Sequence, residues 1–174
     1  MRKYLLGILI LTTFLLSACN PTKDEERIFV LGRGQDTVEI NTSWEDAGAW
    51  LEYEDMKVDV DSTTGTVDET TLGLYEIVYS LTYEEKDYTI SRYVIVVDQT
   101  KPIITLNEGV DSITANGTWV DSGAIATDNS GEIITIIISG TVDTTITGTY
   151  EIVYSAEDSS GNIETVTRYV TVFE

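Results

Sequence analysis

The sequence predicts an all-β chain, with two small β-sandwiches in tandem behind a secretory leader. Three observations predict it. A block-wise repeat runs through the chain at a constant offset of 75 positions. Each copy consists of short runs rich in Thr, Val, Ile and Tyr that alternate in polarity and are punctuated by Gly, Asn and Asp. No stretch past residue 19 shows helical periodicity with caps.

The leader comes first. Arg2 and Lys3 precede an apolar run from Tyr4 to Leu16, too short to span a bilayer comfortably, and small residues follow. The run closes on Leu16-Ser17-Ala18-Cys19, which resembles the lipobox of bacterial lipoproteins. The resemblance implies a signal peptide over 1–18, cleavage before Cys19, and a thioether-linked diacylglycerol with further acylation (palmitate class) on that residue. Two or more acyl chains give stable membrane attachment where one does not. Residues 19–26 then read as a lipidated cysteine and polar tether, with almost no apolar side chain to bury. The expected location is extracytoplasmic, held to a bacterial membrane through the N-terminal lipid.

Composition narrows the chemistry. The 174 residues include no histidine, which removes Ser-His-Asp and Cys-His nucleophile systems and the commonest zinc ligand. Cys19 is the only cysteine, so the domains must hold by packing without a disulfide. The net charge is -20; without Arg2 and Lys3, 8 basic residues face 30 acidic ones, or -22. Such a surface repels nucleic acid and anionic headgroups.

The repeat is explicit. Ser43-Trp44-Glu45-Asp46-Ala47-Gly48-Ala49 returns as Thr118-Trp119-Val120-Asp121-Ser122-Gly123-Ala124, and Gly65-Thr66-Val67-Asp68 as Gly140-Thr141-Val142-Asp143. Gly73-Leu74-Tyr75-Glu76-Ile77-Val78-Tyr79-Ser80 returns as Gly148-Thr149-Tyr150-Glu151-Ile152-Val153-Tyr154-Ser155. One residue is then inserted, and Arg92-Tyr93-Val94 matches Arg168-Tyr169-Val170. The period suits a small self-contained domain. Pro102, which fits a strand start rather than a central strand, opens the second copy. The expected domains are 27–99, diverged, and 100–174.

Pro102 to Leu106, Trp119 to Asp128, Gly148 to Tyr154, Asp158-Ser159-Ser160-Gly161-Asn162 and Thr167 to Val172 together resemble bacterial immunoglobulin-like (Ig-like) domains, in particular DUF5011-type surface repeats and HYR modules. The resemblance implies two tandem Ig-like β-sandwiches, with seven strands in the second. It places Tyr150, and by repetition Tyr75, at a tyrosine corner, and Ile136 and Ile138 inside. The first copy departs from the pattern: Arg27 replaces Pro102, and Tyr83-Glu84-Glu85-Lys86-Asp87 replaces the Asp-Ser-Ser-Gly-Asn turn.

Four groups of residues are functional candidates. Asp121, Asp128, Asp158 and Asn162 offer the oxygen ligands that calcium takes, and are equally what tight turns demand. No other cofactor is implied. Trp50 and Tyr53 are either an aromatic pair for a sugar ring or partner, or enlarged core residues. Ile134, Ile136 and Ile138, with isoleucines of the opposite parity beside them, imply a bulge, a covered face or a contact surface. Trp44 and Trp119 occupy equivalent positions and read as structural.

The function expected is a non-catalytic cell-surface lipoprotein, a binding, adhesion or spacer module that meets an unknown protein or glycan through loops at the far end of the second domain or through a sheet face. The alternative is a carbohydrate-binding accessory to a separate surface enzyme.

Overall fold

The computed structural model describes residues 27–53 and 56–174; the leader, Cys19 and the tether lie outside the described residues. The strands of the first copy are β1 (Ile28–Leu31), β2 (Thr37–Glu39), β3 (Ala49–Tyr53), β4 (Met56–Asp59), β5 (Ser62–Thr64), β6 (Gly73–Tyr83) and β7 (Lys86–Val97). Those of the second are β8 (Ile103–Leu106), β9 (Ser112–Thr114), β10 (Ala124–Thr127), β11 (Ile136–Ser139), β12 (Gly148–Glu157) and β13 (Ile163–Phe173). Each copy builds two facing sheets. The first has β1-β3-β4 against β2-β7-β6-β5, and the second β8-β10 against β11-β12-β13-β9. In both, the short second strand runs parallel to the last strand, β2 on β7 and β9 on β13.

The second domain therefore has six strands among the described residues rather than the seven expected. In the first domain β4 folds back on β3 with Tyr53 opposite Met56. In the second, the chain turns at Asp128, whose Oδ1 accepts the Ser130 amide and whose carbonyl accepts Gly131 N. Glu132 is then held to the Ser159 amide. This segment is drawn toward the β12–β13 turn instead of pairing with β10.

Burial follows the period-two alternation. Ile77, Tyr79 and Leu81 of β6 face inward, as do Ile152, Tyr154 and Ala156 of β12. Arg92 and Arg168 sit on the inward parity of β7 and β13, opposite Ile77 and Ile152, at 2% and 3% exposure. Each buried guanidinium is anchored by its terminal nitrogens at the end of the sandwich, while Arg168 Nε is buried without a hydrogen bond. Arg168 donates to Asp111 Oδ1 at 2.7 Å and to the carbonyls of Asn107 at 2.6 Å and Gly123 at 3.4 Å. Arg92 repeats the pattern with Asp36, Gly32 and Gly48.

Candidate functional site

The two domains meet through loops of both copies. Glu39 closes β2, and its carboxylate reaches over the linker. Its Oε1 accepts from Gln99 N at 3.0 Å, Thr100 N at 3.1 Å, Thr100 Oγ1 at 2.7 Å and Asn129 Nδ2 at 3.1 Å. Asn41 lies in a turn with φ of 59°, a conformation that asparagine tolerates, and its Nδ2 donates to Asn129 O at 2.9 Å. Burial works against the Glu39 charge, but the bonds from Thr100, Gln99 and Asn129 prevail and hold its pKa below the ordinary value.

Beneath this clamp lies a group of acids. Asp98 ends the first domain and is only 8% exposed. Its carbonyl accepts Asn162 Nδ2 at 3.2 Å, and its Oδ2 accepts Ser160 Oγ at 3.3 Å. Oxygen atoms of Asp98, Asp128 and Glu132 all lie within 4.8 Å of one another. Burial, reinforced by the charges of Asp128 and Asp158, pushes the Asp98 carboxyl up from its ordinary value despite the amide bond from Thr100. Asp158 goes the other way. Burial opposes its charge, yet Asn162 Nδ2 and the amides of Asn162, Ser160 and Gly161 hold it down.

Of the residues singled out for calcium, Asp128, Asp158 and Asn162 thus converge on the junction. Asp121 does not join them. Its Oδ1 accepts the Tyr154 hydroxyl and, at 2.9 Å, the Gly123 amide, so it belongs to the interior of the second domain. Sequence reasoning missed Asp98, Glu132 and Glu39. Asp98 stood in plain view three positions ahead of Lys101-Pro102. Glu39 carries no repeat signal, because Thr114 is its counterpart.

The other candidates are placed as follows. Trp50 and Tyr53 do not form one platform: three positions apart on β3, they point to opposite faces. Lys57 Nζ lies 4.0 Å over the Trp50 ring, and Arg27 Cζ 4.8 Å over the Tyr53 ring. Within the isoleucine run, Ile136 to Ile138 pair with β12 in regular register, and Ile134 lies just ahead of the strand. Ile134 and Ile136 pack on the core rather than offering a contact surface. Ile138 shares their face but is 49% exposed, because β11 is an edge strand. The outward residues are Ile133 and Ile137, at 97% and 69% exposure. Trp44 and Trp119 pack on the cores and donate Nε1 to Gln35 O at 2.7 Å and Val110 O at 2.9 Å. Tyr75 and Tyr150 donate to the carbonyls four residues upstream, Thr71 at 2.7 Å and Ile146 at 2.8 Å, which is the tyrosine-corner geometry.

With the sandwich, its parallel β9–β13 pair and the corner in place, comparison with known families is direct. Residues 104–172 match the family model described as "Bacterial surface protein, Ig-like domain". Over these residues the second domain is similar to bacterial surface Ig-like domains. The first repeats its topology with one strand more, so the chain is a tandem of Ig-like sandwiches. No curated protein matches the chain significantly. Among solved structures, a lipoprotein from Bacteroides thetaiotaomicron is similar at 19% identity and a TM-score of 0.34, over 83% of this chain and 80% of that one.

Proposed function

We propose that the chain is a non-catalytic, lipid-anchored spacer of the bacterial surface. Its two Ig-like domains, clamped end to end, hold the far loops of the second domain away from the membrane, where they meet a protein or glycan. The observation that carries this reading is the Glu39 clamp, in which one carboxylate of the first domain binds both the linker and Asn129 of the second. The similarity of the second domain to bacterial surface Ig-like domains and the Leu16-Ser17-Ala18-Cys19 sequence support the location. The lack of histidine supports a non-catalytic role. The sandwich also directs its two ends differently. Asn41, at the far end of the first domain, docks on the second, while its counterpart Asn116, with φ of 63°, occupies the free end. Carbohydrate binding through Trp50 and Tyr53 is disfavoured by their opposite faces and by the cations over their rings.

Mass spectrometry of the native N-terminus tests the attachment. The expected result is a mature chain beginning at acylated Cys19, with Cys19→Ser released or left uncleaved. An unmodified Cys19 in the membrane fraction would remove the membrane from this reading.

A further inference from the structure

We propose that the domain junction is a divalent-cation site of the calcium class, in which Asp98, Asp128 and Glu132 supply carboxylate oxygens and the ion ties the interdomain linker to the second domain. Three acids within 4.8 Å do not by themselves make a site. The independent observation is at Asp128. Its Oδ1 is held by the Ser130 amide, while its Oδ2 is buried and accepts no hydrogen bond. A buried carboxylate oxygen without a partner is costly unless a charge meets it. Among the described residues no lysine or arginine is ion-paired with any of the three acids. Asp98 is nine-tenths buried beside them.

The donor set matches a hard cation. Calcium takes six to eight oxygens from carboxylates, carbonyls and water in flexible geometry, whereas magnesium demands a strict octahedron and keeps most of its water. The acids are also presented by separate parts of the fold: Asp98 by the end of the first domain, Asp128 and Glu132 by the loop that replaces a β4 counterpart. Asp158 and Asn162 serve as framework, holding Asp98 through Ser160 and Asn162 Nδ2. The cation site is independent of the surface-spacer reading and is tested without reference to it.

The test is calcium binding by the full-length protein in detergent, stripped with chelator and followed by equilibrium dialysis against calcium chloride. The expected result is one saturable site with Kd on the order of 0.1–1 mM, as for extracellular modules. Asp128→Asn and Glu132→Gln keep their hydrogen-bond acceptors. Each should weaken binding at least about tenfold, while its circular dichroism in chelator matches the parent. Glu151→Gln removes an exposed acid from β12 and should leave binding unchanged. Absence of saturable calcium binding would overturn the site. So would equal binding in all three variants, or full replacement by the same concentration of magnesium chloride, either of which marks ion condensation on an acidic surface.

Discussion

Tyr154 gives its hydroxyl to Asp121, 33 positions earlier, and Tyr79 gives its own to Asp46 in the same way. Both tyrosines have no exposed surface. Burial, and then the neighbouring carboxylate, push each phenol above its ordinary pKa. The same aspartates also accept a glycine amide two residues on, so each closes the turn that leads into β3 or β10. The pairing therefore fixes one sheet to the other and commits Asp121 Oδ1 to the second domain's interior.

Two tyrosine substitutions should separate accordingly. Tyr150→Phe loses a bond to a neutral carbonyl and should cost about 1 kcal/mol, whereas Tyr154→Phe loses one to a carboxylate and should cost roughly 1.5–3 kcal/mol. Tyr150→Ala, which leaves a cavity, should cost about 3 kcal/mol or more. Chemical denaturation of the three variants checks the order, and a costless Tyr154→Phe would show that the buried pair contributes nothing.

Gly140 is the second case. It has φ of 101°, and a Cβ there would stand 2.2 Å from the Glu151 carbonyl oxygen; Gly65 has the same relationship to Glu76. Gly140→Ala must move β12 or its own loop, and should cost about 2 kcal/mol or more. Gly123→Ala, at φ of 73° with only the Asn107 side chain nearby at 3.7 Å, meets conformational strain alone and should cost less. Equal melting temperatures for the two variants would contradict the close approach.

The raised carboxyl of Asp98 sets a pH dependence of definite sign. A carboxyl whose folded pKa lies above its unfolded value favours the folded state below the unfolded pKa, and that contribution is lost as pH rises through the folded pKa. For Asp98 the window opens at the ordinary 3.8 and extends upward. In chelator at neutral pH, Asp98→Asn should therefore melt above the parent, and below pH 3.8 the advantage should disappear. Melting curves across this range decide it, and a variant less stable at neutral pH would show that the Asp98 charge is already well compensated.

Much of this architecture is legible in the chain. The offset of 75 announces the domains, and the glycine before Tyr75 and Tyr150 announces the corners. The alternation Val166, Arg168, Val170, Val172 puts Arg168 on the inward face, but its partners are the carbonyls of Asn107 and Gly123, which no side-chain pattern encodes. The loss of a β4 counterpart depends on where Glu132 finds its partner, 27 residues away in the β12–β13 turn. The junction was least legible. Glu39 reaches Asn129 across 90 positions, and a contact made by only one copy leaves no trace in a repeat.

The central claim is that the two domains are held in one orientation by Glu39. Its most direct test is a distance distribution, from pulsed electron spin resonance, between labels on Thr89→Cys and Thr165→Cys in the Cys19→Ser chain. Both sites are exposed and occupy corresponding positions of β7 and β13. The account predicts one narrow distribution for Glu39 and a broad one for Glu39→Ala. A broad distribution already present with Glu39, unchanged by its removal, would contradict it.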